Sequence, residues 1–163
     1  MADSITATGS SFAARLIKYW LPVAAMVGLM YFFSTDSLSG ENTRGLIKQV
    51  MDWLLSGVRD RTAERINFVI RKSAHFVEYA ILATLLYRAF RADSAQRWRL
   101  RWAVYSFAII FLWALLDEYH QAFTSKRSGS IYDSLLDAAG GLFALLVIAW
   151  FNYGKTSSSG QKP

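Results

Sequence analysis

Residues 66–90 of the 163-residue chain read INFVIRKSAHFVEYAILATLLYRAF, a segment that begins polar and ends as an apolar run. Residues three, four or seven positions apart share one face of an α-helix. Lys72, His75 and Tyr79 have these offsets, and Glu78 lies three positions after His75. A charge inside a membrane helix costs about 2.5–3.5 kcal/mol, so such groups normally face partners within the protein. The segment therefore predicts a helix whose polar stripe faces the interior of a bundle.

The composition favours a membrane protein with one domain. Hydrophobic residues make up 53% of the chain and charged residues only 18%, with a net charge of +6. The basic residues flank apolar runs, which indicates lipid headgroups and not nucleic acid as their partners. The absence of cysteine excludes disulfides, thiolate metal sites and cysteine nucleophiles.

The apolar runs predict an all-α, polytopic membrane bundle with four transmembrane helices. The spans are expected at about residues 16–33, 73–90, 102–121 and 134–152. Each uninterrupted run is shorter than the usual ~20 residues, so a soluble four-helix bundle is the alternative. That bundle would need a polar stripe on every helix. Residues 103–116 offer only Tyr105 and Ser106, which favours the membrane protein.

Three further segments complete the predicted organisation. Residues 1–14 and 154–163 are polar and predict disordered tails on either side of a single membrane domain over residues 15–153. Residues 44–58 have apolar positions at helical offsets and predict an amphipathic helix in the first extracytoplasmic loop. Its role as a lid, an anchor or a partner surface stays open.

The orientation follows from the connection over residues 88–101, which is short and rich in arginine. Such connections stay on the cytoplasmic side. Tyr19, Trp20, Trp98 and Trp102 lie at the same predicted interface. The sequence thus predicts a multi-pass protein of the cytoplasmic membrane with both termini in the cytoplasm.

Four antiparallel spans bring three polar clusters to one membrane face. These clusters are the start of span two, the end of span three and the start of span four. At 1.5 Å per residue, Glu78 and Asp117 are expected about 9 Å below the surface and Asp137 about 6 Å below it. Small residues over 138–144 permit close helix approach. We expect a shallow charged pocket at the outer face of the membrane.

These clusters resemble the motifs of the VanZ-like family. The matching segments are Lys72-Ser-Ala-His75-Phe-Val-Glu78-Tyr79, Asp117-Glu118-Tyr-His120-Gln121, Arg127-Ser-Gly-Ser-Ile-Tyr-Asp133, and Asp137 with Gly140 and Gly141. The resemblance implies a small multi-pass membrane protein with a link to the cell envelope, in a family named for a teicoplanin-resistance protein. It assigns the family's characteristic positions to His75, Glu78, Tyr79, Glu118, Gln121, Arg127, Asp133 and Asp137.

The predicted pocket suits the headgroup of a membrane lipid, an anionic lipid, a lipid-linked envelope precursor or a glycopeptide. Arg127 and Lys72 near the mouth would hold a phosphate or carboxylate. Asp117 and Glu118 lie about 100° apart on their helix, and which of them faces the pocket stays open. The candidate ligand-binding residues are Lys72, His75, Glu78, Tyr79, Asp117, Glu118, His120, Gln121, Arg127, Asp133 and Asp137.

Three alternatives stay open beside ligand binding. The polar groups could serve only to hold the helices together. His75 and Glu78 could act as acid and base in a hydrolase or transferase on a lipid phosphate, although no known catalytic motif is present. His75, Glu78, Asp117 and His120 have the spacing of a di-metal helix bundle, but no cofactor is predicted. The oligomeric state stays open.

Overall fold

The computed structural model describes residues 3–34, 45, 49, 60–122 and 131–157. Over these residues the protein is all-α, as predicted, and forms four helices. They are α1 (Asp3–Ser34), α2 (Asp60–Arg91), α3 (Leu100–Ala122) and α4 (Ile131–Ser157).

Three of these helices are long and apolar enough to cross a membrane. The qualifying segments are Phe12–Phe32 of α1, Leu100–Tyr119 of α3 and Ile131–Asn152 of α4. The predicted span over 73–90 lies on α2, which does not qualify by composition because polar side chains interrupt it. The crossing of the membrane by α2 therefore stays a prediction.

The helix α2 is the centre of the bundle, because it packs against α1, α3 and α4. With 32 residues it is about 48 Å long. Tyr79, Leu82, Ala83 and Leu86 on α2 are at most 1% exposed. Polar groups on α2 are therefore shielded by neighbouring helices, as the stripe in its sequence predicts.

The outer surface of the bundle is apolar. Leu21 on α1, Leu112 on α3, and Phe143, Leu146 and Trp150 on α4 are all exposed. Soluble monomers rarely expose contiguous apolar surface of this kind. Lipid is the solvent that fits this surface, and the soluble-bundle alternative does not account for it.

Both end helices are longer than the sequence predicts. Residues 1–14 were expected to form a tail, whereas α1 begins at Asp3. The segment contains no proline, so its backbone can continue the helix formed by the apolar run despite Gly9. At the other end, α4 continues to Ser157 instead of ending at residue 153.

The predicted amphipathic helix over residues 44–58 lies outside the described residues, apart from Gly45 and Gln49, which are helical.

Two glycines let α4 approach its neighbours closely. A Cβ built on Gly140 would lie 2.3 Å from the carbonyl oxygen of Phe76 in α2. A Cβ on Gly141 would lie 2.9 Å from the side chain of Ile110 in α3. The hydroxyl of Ser134 also donates a buried hydrogen bond to the carbonyl of Ala114, with an Oγ–O distance of 3.2 Å. The close approach expected from the small residues of α4 is confirmed.

The opposite end of the bundle is held by the connector over residues 92–99. Asp93 accepts a hydrogen bond from the hydroxyl of Tyr19 and lies 3.3 Å from both Lys18 Nζ and Arg15 Nε. The Tyr19 hydrogen bond, followed by that of Lys18, lowers the pKa of the Asp93 carboxyl below its usual value. Through these contacts, residues 15–19 of α1 bind the turn that follows α2.

We predict that Gly140→Ala destabilises the protein by about 1–3 kcal/mol, because the new methyl group meets a backbone carbonyl that has little room to move. Thermal unfolding in detergent checks this. The matched control is Gly28→Ala in α1, where nothing lies within 4 Å of the added Cβ. Alanine is the better helix former, so the control should be neutral or stabilising. An equal response of the two variants would contradict the close contact.

We predict that Tyr19→Phe lowers the unfolding temperature, whereas Tyr105→Phe, at an exposed position, leaves it unchanged. The effect should depend on pH in a defined direction. A carboxyl whose pKa is lowered by folding stabilises the protein above its unfolded pKa of about 3.9, and this stabilisation is lost as the pH falls through the folded pKa. The difference in unfolding temperature between wild type and Tyr19→Phe should therefore be constant from pH 7 to pH 5 and become smaller as the pH falls below about 3.9. A difference that does not change with pH would assign the effect to packing instead.

Candidate functional site

The helices α2 and α4 run parallel, and three contacts join them in the same order along both chains. Lys72 pairs with Asp133, His75 faces Asp137 with 3.7 Å between Nδ1 and Oδ1, and Phe76 contacts Gly140. Residue numbers rise together on both helices along these contacts. The Lys72–Asp133 ion pair and the His75–Asp137 contact thus occupy successive turns of the same interface.

The two pairs differ in their depth. The side chains of Lys72 and Asp133 are 21% and 37% exposed, so this ion pair lies at the rim. Asp137 is buried, and His75 is partly exposed. The contacts over the first turns of α2 therefore lead from an accessible ion pair to an enclosed carboxylate.

The helix α3 adds a second carboxylate at the deeper level. Ligand atoms of His75, Asp117 and Asp137 all lie within 4.8 Å of one another. We call these three residues the polar cluster. Asp117 is thus the member of the Asp117–Glu118 pair that joins His75 and Asp137. Glu118 is partly buried beside the cluster and interacts electrostatically with Asp137.

Tyr79 lies beside the polar cluster and is fully buried. Its hydroxyl has no hydrogen-bond partner among the residues that the structure describes. It interacts electrostatically with Asp137 and Asp117 first, and then with Glu78 and Glu118. A buried polar group without a partner costs about 1–3 kcal/mol. This hydroxyl is therefore a hydrogen-bond donor that a group bound at the polar cluster could satisfy.

The structure thus brings together most of the predicted site, and it changes one grouping. The metal alternative took Glu78 from α2 and His120 from α3, whereas the carboxylate that faces His75 is Asp137. The parallel register of α2 and α4 is the reason. Glu78 is partly buried and interacts electrostatically with Asp117.

Three predicted residues cannot be placed relative to this site. Arg127 lies outside the described residues. His120 and Gln121 belong to the last turn of α3, and their side chains are outside the described part of the chain.

Ser134 was not predicted, although its position carries a usable signal. Ser134, Ala138 and Gly141 are spaced by four and three residues and form the face of α4 that contacts α3. Asp133, Asp137 and Gly140 have the same spacing one position earlier and form the face that contacts α2. This helix thus has two adjacent buried faces, only one of which carries charge.

An apolar groove of about 340 Å³ lies between α3 and α4 at the connector end. Trp98, Val104 and Phe107 line one side, and Leu142 and Leu146 line the other. The groove is nearer the opposite membrane face than the polar cluster. It suits a hydrocarbon chain from the surrounding lipid, and it adds no polar group to the site.

Comparison with known proteins agrees with the motifs. A family model described as VanZ/LLP1 matches residues 19–152, a range that includes the whole polar cluster. No curated protein and no solved structure gives a significant match. The predicted resemblance is confirmed. The chain, with its apolar membrane-spanning helices, is a multi-pass membrane protein that belongs to the VanZ/LLP1 family.

Proposed function

We propose that the protein binds the polar headgroup of an envelope lipid, a lipid-linked envelope precursor or a glycopeptide at the polar cluster. One observation carries this proposal. Ionisable side chains from α2, α3 and α4 lie within 4.8 Å of one another in a bundle whose outer surface is apolar. Ionisable groups at such positions mark ligand or ion sites more often than they mark simple packing.

The helix contacts support ligand binding over a purely structural role. The approach of Gly140 to Phe76 and the hydrogen bond from Ser134 to Ala114 already join α4 to both neighbours without any charge. Clustered carboxylates add repulsion to this interface, and a buried ion pair is weak evidence for stability. Burial of the Tyr79 hydroxyl without a hydrogen-bond partner also costs free energy of folding, and a bound ligand could offset this cost.

The residues at the two levels match different parts of a headgroup. Lys72 at the rim offers an ammonium group to a phosphate, in competition with Asp133. The deeper carboxylates and His75 can accept hydrogen bonds from hydroxyl, amide or amine groups. A headgroup in which a phosphate is joined to a sugar or peptide has a phosphate for Lys72 and hydroxyl, amide or amine donors for the deeper carboxylates and His75. We include Arg127 in the proposal as a second cation for the phosphate, on the basis of the family motif.

We also propose that α2 crosses the membrane over residues 73–90, that both termini are cytoplasmic and that the site opens to the outer face of the cytoplasmic membrane. The chain has no cysteine, so single cysteines report position without background. Thr62→Cys should react with an impermeant thiol reagent in intact cells, and Ala95→Cys only after permeabilisation. The reverse pattern would invert the orientation. Equal labelling of both in intact cells would show that α2 does not cross.

We predict that Asp137→Asn lowers retention of the bound headgroup at least tenfold. The purified chain is incubated with phosphatidylglycerol, a polyprenyl-linked wall precursor or a lipoglycopeptide. Native mass spectrometry then measures how much of each compound stays bound to the chain. The expected loss reflects the central position of Asp137 between His75 and Asp117. The matched control is Asp93→Asn at the opposite end, which should retain the ligand even where it lowers stability.

The same experiment separates the other functions. Equal retention by Asp137→Asn and wild type would remove the cluster from ligand binding. Unfolding of both Asp137→Asn and the milder His75→Gln in detergent, with no ligand on the wild type, would favour the structural role. Release of phosphate or a cleaved lipid, abolished by His75→Gln, would favour the hydrolase.

A further inference from the structure

We infer that the polar cluster is a binding site for one divalent transition-metal ion, with His75, Asp117 and Asp137 as its ligands. This inference goes beyond headgroup binding and does not rest on it, because metal binding can be measured with the ion alone. The three ligands come from three helices, so the ion would join α2, α3 and α4 at one point.

The spacing of the donor atoms fits a small ion. In a tetrahedral site with bonds of about 2.05 Å, neighbouring ligand atoms lie about 3.3 Å apart. The Nδ1 of His75 and the Oδ1 of Asp137 are already 3.7 Å apart, and all three ligand atoms fall within 4.8 Å. Small side-chain rotations would bring the third ligand to bonding distance. No helix has to move.

The charges at the site favour a cation. Two carboxylates, one of them buried, approach one imidazole within a bundle that has an apolar exterior. Lys72 interacts electrostatically with Asp137, but its ion pair is with Asp133 at the rim. A divalent ion would neutralise the two aspartates at the point where they repel each other.

Tyr79 provides an independent indication of a bound group. It is fully buried against the cluster, and its hydroxyl has no partner among the described residues. A metal ion with three protein ligands keeps an open position for water. A water molecule there could accept a hydrogen bond from the Tyr79 hydroxyl, which the described protein groups leave unsatisfied.

The donor types indicate which metals fit. Imidazole with carboxylates suits Zn²⁺ or Mn²⁺, whereas Mg²⁺ and Ca²⁺ prefer sites made of oxygen alone. The chain has no cysteine, so thiolate-selective metals have no ligand here. We therefore expect Zn²⁺ to bind more tightly than Mg²⁺.

The experiment uses the full chain without a histidine tag, purified in detergent and stripped with a chelator. Equilibration with Zn²⁺, removal of free metal and elemental analysis should give one ion per chain. His75→Gln, Asp117→Asn and Asp137→Asn should each lower the affinity at least tenfold. The matched control is Asp93→Asn at the opposite end of the bundle, which should retain the ion.

Thermal unfolding provides a second readout that does not depend on the variants. Saturating Zn²⁺ should raise the unfolding temperature of the wild-type chain by several degrees, and chelator should reverse the rise. Mg²⁺ at the same concentration should have little effect. Absence of stoichiometric Zn²⁺, or an unchanged unfolding temperature, would overturn the inference. So would retention of the ion by His75→Gln, Asp117→Asn and Asp137→Asn alike.

Discussion

The contact between the backbone of Phe76 and Gly140 determines how α2 and α4 fit together. No other residue type would leave room there, because even a Cβ would lie 2.3 Å from the Phe76 carbonyl oxygen. Two parallel helices that touch at a fixed point have a fixed axial register. His75, the residue before Phe76, therefore faces Asp137, one turn before Gly140, and Lys72 reaches Asp133 one turn earlier on both helices. The close approach at Gly140 is thus compatible with both of these contacts because Gly140 has no side chain.

Packing and chemistry use different faces of the same helices. The face of α4 that includes Ser134, Ala138 and Gly141 contacts α3 through small residues and one hydrogen bond. The neighbouring face presents Asp133 and Asp137 to α2. In a membrane, association between helices depends on such close packing and on hydrogen bonds, because lipid provides no hydrophobic driving force. The packing of α4 against α3 therefore does not depend on the residues of the polar cluster alone.

The carboxylates at the two ends of the bundle have different partners. At the connector end, Asp93 is exposed and satisfied by Tyr19, Lys18 and Arg15. At the other end, the carboxylates of Asp117 and Asp137 converge on a single imidazole and a buried tyrosine. The first arrangement closes a turn. The second leaves the Tyr79 hydroxyl without a partner among the described residues. The proposed headgroup and the proposed metal ion are chemically compatible occupants of this site, because a phosphate oxygen can itself bind a metal ion.

The sequence by itself determined the helices, the apolar runs and the family, since helical periodicity, hydrophobicity and motif spacing are local properties of the chain. It also predicted that polar residues from α2, α3 and α4 would meet, because alternating spans must return to the same face. It did not determine that Asp137 faces His75, or that Asp117 and not Glu118 joins them. Those partners depend on the rotation and axial shift of one helix against another. Tertiary contacts such as those at Gly140, Gly141 and Ser134 set these two quantities, and no periodicity within a single helix contains them.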